Sequence, residues 1–356
     1  MRIEEQEYTK NFDIRIWKRV LPFLKPFKKT VAVVLIFNLI CSLVDIAMPL
    51  FQRYAINTFI NQKTLDGIWQ FGLVYLLVVG FQFLSVVLFT RGSASLEMYM
   101  GKTMKRACFV HLQELSFSYY NVTPVGYILS RVMSDTDRIA GMVAWNLTDM
   151  MWALVYVLGV FAAMLALNWK LAIIIMSIVP AMAVLTWYFQ NKILRWNRKV
   201  RKINSRITSG YNEGIMGAQT SKTLVIEEKN LGEFQEVTEE MRTAAIRAAR
   251  LSAVYVPLVL FCGSLATAIV VGKGGQMVLD NLLMIGTLSA FTSYAVGIFE
   301  PIQQLARNLA ELISIQANIE RVTTLLDQKP TVKDSPEVVE KYGDTFHPKK
   351  ENWEPI

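Results

Sequence analysis

The chain has 356 residues, of which 53% are hydrophobic and only 19% charged, with mean hydropathy +0.32 and a formal net charge of +8. Soluble domains carry roughly 25% charge, so the composition excludes a soluble enzyme and points to a membrane protein. The three cysteines (Cys41, Cys108, Cys262) and two histidines (His111, His347) stand too far apart for a zinc site or a disulfide framework; free thiols and no metal are expected.

Hydropathy places six spans, at about 30–51, 68–90, 146–167, 170–189, 254–272 and 282–302. The charged segment 1–29 precedes the first and has no small-residue cleavage site, so the first span reads as a retained anchor. With the N-terminus inside, Lys and Arg number 8 in 1–30, 6 in 91–145, 12 in 190–253 and 7 after 302, which puts 33 of 37 on one side. That asymmetry assigns both termini to the cytoplasm, and a bacterial plasma membrane is the expected location. The basic charge therefore lies beside membrane spans, and no nucleic-acid partner is expected. The basic run Arg195–Arg206 should lie near anionic headgroups.

The outer connections are short, whereas the inner loops 91–145 and 190–253 are long. Structureless loops of that length are uncommon. Ser95–Leu115 and Asn191–Ile207 have few Gly, no Pro and apolar residues at helical spacing, so both should be helices running on out of the membrane. Residues 303–327 form another amphipathic pattern, with Leu305, Leu309, Leu312, Ile315, Ile319 and Val322 on one stripe. Residues 328–356, rich in Lys, Glu, Asp and Pro, read as a linker. Gly272-Lys273-Gly274-Gly275 reads as the turn between the fifth and sixth spans. Thr123 is expected to cap a short helix that has Pro124 at its first position.

Three stretches carry a resemblance. The first is Phe117 to Ile139, with Thr123, Pro124, Gly126, Tyr127, Arg131, Asp135, Asp137 and Arg138. The second comprises Glu213, Gly217, Lys222, Thr223, Leu224 and Glu227. The third comprises Asn308, Ser314, Glu320-Arg321-Val322 and Leu325-Leu326-Asp327, followed by Lys329-Pro330. Together they resemble the first and second intracellular loops and the ATPase-domain approach of ABC exporters, over residues 20–330. Ala218, Thr220 and Ser221, and the Tyr119-Tyr120 pair, depart from the usual pattern.

The resemblance implies an all-α membrane fold, with six transmembrane helices in 30–327 extended into the cytosol. It implies ATP-driven export of a drug, lipid or peptide by alternating access, with a second exporter half as homodimer or heterodimer partner. The loop residues named above would couple this domain to nucleotide-binding domains that hold ATP and Mg. Within this chain no G-x-x-x-x-G-K-[ST] loop occurs, so no catalytic or cofactor-binding residue is assigned. Gly101-Lys102-Thr103 is the nearest look-alike, with Leu96 where the first glycine belongs.

Asp45 in the first span and Glu300 in the sixth are candidate substrate-path residues, because a carboxylate inside a bilayer costs several kcal/mol unless it faces a cavity or a partner. Asn38, Gln82, Ser85, Gln303 and Gln304 are weaker candidates. Two alternatives stand beside the exporter reading: a six-span channel or standalone permease with a regulatory stalk, and a membrane subunit served by a separate ATPase polypeptide.

Overall fold

In a bilayer every backbone N–H and C=O has to find its partner within the protein, and for apolar runs of this length the α-helix supplies it. The computed structural model describes residues 13–332, 334–343, 346–347 and 349–350. Those residues form helices and turns, without a strand among them. Most of the expected N-terminal segment 1–29 and linker 328–356 are included; residues 1–12 and 351–356 lie outside the described residues.

Two short helices, α1 (Ile14–Lys18) and α2 (Leu21–Leu24), lead into α3 (Lys28–Ala55). Then follow α4 (Ile68–Glu114), α5 (Phe117–Val122), α6 (Val125–Leu129), α7 (Thr136–Gly141) and α8 (Leu147–Leu167). The chain continues with α9 (Trp169–Met216), α10 (Ala218–Leu224) and α11 (Glu227–Leu279). It ends with α12 (Ile285–Gly297), α13 (Phe299–Leu326) and α14 (Pro336–Tyr342). Five helical stretches, Ile14–Ile60, Ile68–Glu114, Val125–Leu167, Trp169–Met216 and Glu227–Leu279, are long and apolar enough to cross a membrane.

The sixth expected span is divided: α12 stops at Gly297 and α13 starts at Phe299. Pro301 has no N–H to give to the carbonyl of Gly297, four residues back, so the helical ladder is interrupted at that point. The expected helical extensions are present. The helices α4, α9 and α11 run for 47, 48 and 53 residues, roughly 70–80 Å at 1.5 Å per residue, far more than a bilayer needs. Between α8 and α9 a single residue suffices: the Asn168 side chain accepts the N–H groups of Lys170 and Leu171, which closes the first turn of α9.

Gly272–Gly275 do not make the expected turn. They lie inside α11, and the chain reverses at Asp280–Met284, where Asn281 takes the left-handed conformation with φ 56°. Buried Gly274 instead lets neighbouring helices approach, since a Cβ there would meet Leu288 Cδ1 at 2.5 Å and Leu171 Cδ1 at 3.6 Å.

The chain forms two units. One comprises Met1–Val44, Leu73–Val155 and Asn308–Ile356. Its core joins Met100, Met104, Cys108 and Leu112 of α4 to Ile128, Ile139 and Met142 of the first long loop, and to Leu312, Ile315, Ile319, Val322 and Leu325 of α13. The α13 stripe is thus as expected from Leu312 onward, but Leu309 is exposed. Asn308 is buried next to it, with its Nδ2 donating to the Asn146 carbonyl at 3.3 Å, which rotates Leu309 outward. Burial pushes the Cys108 thiol up to about 11, leaving little thiolate near neutrality. A water-soluble maleimide at pH 7.5 is expected to leave Cys108 unmodified in the folded protein and to label it after unfolding, as read by peptide mass mapping.

The other unit comprises Asp45–Gly72 and Tyr156–Arg307. Here α9 and α11 pack side by side, with the Phe189 and Tyr255 rings stacked at 5.7 Å. At the far end of α3, Arg53 Nε donates to Thr287 Oγ1 at 3.0 Å and the Gly286 N–H to Asn57 Oδ1 at 2.9 Å, pinning the start of α12. Tyr294, fully buried, donates to the Ile46 carbonyl at 2.6 Å, three residues before the helix-interior Pro49.

Candidate coupling site on the helical extensions

The first long loop is a chain of short helical pieces. Thr123 is not the expected cap. It ends α5 with an extended backbone (φ −109°, ψ 117°), as a residue before proline must, and Pro124 itself occupies the N-cap position of α6. The helix then widens into a π-helical turn, Ser130–Asp135, before α7, and such turns recur at functional sites.

This π-turn buries two opposite charges, Arg131 at 6% and Asp135 at 3% exposure. Asp135 accepts a fork of two hydrogen bonds from Arg321 of α13, Nε to Oδ2 at 2.7 Å and Nη2 to Oδ1 at 2.8 Å. Arg321 also donates to Asn318 Oδ1 at 2.7 Å. The planar guanidinium matches the carboxylate in both angle and spacing. Arg131 lies 3.9 Å above the Tyr127 ring and bonds its hydroxyl, while its Nε has no hydrogen-bond partner among the described residues. Asp137 pairs with Lys105 of α4 at 2.7 Å. Arg138 is exposed. The loop is therefore anchored to both α4 and α13 by charge.

Of these partners, Arg321 belonged to the third sequence motif, but nothing local linked it to Asp135. Lys105 gave no signal, being one more cation on a basic helix.

While Ile128, Ile139 and Met142 pack into the core, other apolar side chains of the loop point to solvent. Phe117, Val122 and Val125 are 87%, 72% and 77% exposed. Gly126 has nothing within 4 Å of where a Cβ would stand, so its surface is open to close approach.

The second long loop has the same character. Gly217 ends α9, donating to the carbonyls of Glu213 and Ile215; a Cβ there would meet the Glu213 oxygen at 2.8 Å. Then α10 carries Lys222, Thr223 and Leu224. Val225 turns left-handed (φ 54°), and Glu227 opens α11 in its first turn, where the helix dipole favours an acid. Met216, Leu224 and Val225 are all exposed.

The substrate-path candidates differ in burial. Asp45 is half-buried in α3 and acts electrostatically on Tyr156. Glu300 is exposed in the first turn of α13. Asn38 and Ser85 are buried, Ser85 through its bond to the Phe81 carbonyl at 2.8 Å.

The look-alike segment in α4 does not fit a nucleotide phosphate. Gly101-Lys102-Thr103 lies in mid-α4, where backbone N–H groups are consumed by the helix, and Thr103 Oγ1 donates to the Tyr99 carbonyl at 2.8 Å. Among the described residues no cluster of His, Cys, Asp or Glu could hold a metal.

A wholly helical membrane domain whose helices run on into two long hairpins with anchored loops is a transporter domain in class. Residues 31–302 match the ABC transporter transmembrane region, and the chain belongs to that family. Its relatives include the uncharacterized ABC transporter ATP-binding protein YknV of Bacillus subtilis, 26% identical over 91% of this chain and 54% of that protein. They also include the putative multidrug export ATP-binding/permease protein YgaD of Bacillus subtilis, 23% identical over 91% and 57% respectively. A third is the ATP-dependent lipid A-core flippase of Desulfotalea psychrophila, 22% identical over 91% and 56%. The chain spans about half the length of the curated relatives it matches. It is thus the transmembrane domain of an ABC transporter and an integral membrane protein.

Proposed function

We propose that this domain is the membrane half of an ATP-driven exporter, moving a hydrophobic or amphipathic substrate (drug, lipid or peptide) out of the cytoplasm by alternating access. It pairs with a second exporter half, as homodimer or heterodimer. ATP and Mg bind to nucleotide-binding domains outside these residues, and those domains dock on the two long loops. The observation that carries the reading is that both loop tips present apolar side chains to solvent on helices that run far past their apolar segments. The names of relatives, multidrug export and lipid A-core flippase, support the substrate class.

In this mechanism nucleotide binding draws the docked domains together and shifts the membrane helices between two states by differential affinity. The first loop transmits that movement because Asp135 and Arg321 tie it to α13, and the second because Gly217 and Val225 orient α10. Asp45 and Glu300 line the path and favour cationic or polar groups, given what a carboxylate costs at membrane depth away from a polar cavity. The partition of Lys and Arg supports termini in the cytoplasm, and the retained first span supports a plasma-membrane location.

The test uses everted membrane vesicles supplied with Mg-ATP and a lipophilic fluorescent dye. Accumulation that requires ATP, and that falls at least tenfold in Val125→Asp/Leu224→Asp while membrane insertion stays normal, is the expected outcome. Dye flux that continues without nucleotide sinks the reading and favours the channel or permease.

A further inference from the structure

Where α9 and α11 leave their apolar segments, five cations face one open groove of about 580 Å³: Lys192, Arg195, Lys199, Arg247 and Arg250, with Trp196 as its wall. No carboxylate is among the residues lining it. Glu240, which pairs with one of the lining cations, is shared between Lys199 at 3.2 Å and Arg206 at 2.7 Å, and those two cations hold its carboxyl below the usual carboxylate range. Arg247 stands 5.0 Å from the Trp196 ring centroid, and Lys192 is 4.4 Å over the Tyr188 ring. Neither Arg195 nor Arg250 has a carboxylate partner among the described residues. Of the five only Lys199 is offset by an acid; the remaining like charges repel one another, and an anion in the groove relieves that repulsion.

The depth of the groove decides which anion. It starts just after the apolar segment of α9, expected at 170–189, and ends just before that of α11, expected at 254–272. Cations and an indole at that level match the headgroup zone. Immediately on the membrane side, Val184, Trp187, Val254 and Leu260 are exposed and offer an apolar track for acyl chains. A soluble anion or a nucleic acid has no use for such a track.

We propose that this groove binds the phosphate headgroup of an anionic phospholipid, with Arg195 and Arg250 as its main contacts and Trp196 as its interfacial anchor. The site is separate from both loop tips and holds whether or not the domain exports anything.

The experiment measures retention of phosphatidylglycerol against phosphatidylcholine on the purified full chain, by native mass spectrometry with lipid titration. Each basic side chain at an anionic surface is worth about a factor of five. Arg195→Gln/Arg250→Gln should therefore weaken phosphatidylglycerol binding about thirtyfold and leave phosphatidylcholine unaffected. Arg198→Gln/Lys202→Gln, an equal charge loss on the adjoining cleft, should change it less than about threefold, and Arg195→Lys/Arg250→Lys should largely restore it. Equal losses in the two Gln pairs overturn the site in favour of diffuse surface charge. Binding of free glycerol phosphate as tight as that of the lipid overturns it in favour of a soluble anion.

Discussion

Replacing Arg321 by alanine is expected to destabilise the protein by about 3–5 kcal/mol, because the Asp135 carboxylate then stays buried without its fork of hydrogen bonds. Asp135 is 3% exposed, so water cannot substitute without opening the loop. Arg321→Lys keeps the charge but loses the two-pronged geometry, and should fall between wild type and alanine. The decisive measurement is a double-mutant cycle with Asp135→Asn, followed by denaturant unfolding in detergent. A coupling energy of about 2 kcal/mol or more is expected; additive effects would show that the pair does not act as a unit. In the full transporter Arg131→Ala/Asp135→Ala should separate ATP turnover from transport while insertion stays intact.

The second large effect belongs to Gly286, at the start of α12. A Cβ there would lie 2.5 Å from the Arg53 carbonyl oxygen and 2.5 Å from Asn57 Oδ1. The first of these is backbone and cannot swing away. Gly286→Ala must therefore push α12 off the end of α3 or break the Gly286 N–H to Asn57 bond, at a cost of about 1–3 kcal/mol. Gly126→Ala is the control: nothing stands within 4 Å, and alanine is the better helix former, so stability should be unchanged or slightly raised. Denaturant midpoints of the two variants, measured side by side, check the contrast; equal shifts would mean that the tight approach at Gly286 is not what holds α12.

What could be read from the sequence follows from how local each signal is. Apolar runs and the lack of Pro and Gly in Ser95–Leu115 marked long helices, because those features act within a few residues. The loop motifs were visible for the same reason. The tie between Asp135 and Arg321 was not, since the two are 186 positions apart and only packing brings them together. Gly272–Gly275 misled because glycine serves two purposes in membrane proteins: it frees a turn, and it lets helices touch. The actual reversal used Asn281, a residue that tolerates the left-handed region through its short polar side chain. Thr123 was misassigned by one position, as the proline after it took the cap. In α13 the helical period alone placed Leu309 inward; a single buried amide, Asn308, had the stronger claim on that space.

The uninterrupted course of α9 has a mechanical consequence. Inside the helix Pro180 leaves the Met176 carbonyl without its N–H, a natural point of flexure. Beyond it residues 181–216 continue as one unbroken helix, about 54 Å at the helical rise. A tilt of about 5° at the proline swings the tip of such a rod by about 5 Å, one full turn of helix. The helix is thus a lever arm, trading a small angular change among bilayer-embedded side chains for a displacement at Gly217 as large as the spacing between successive helical turns.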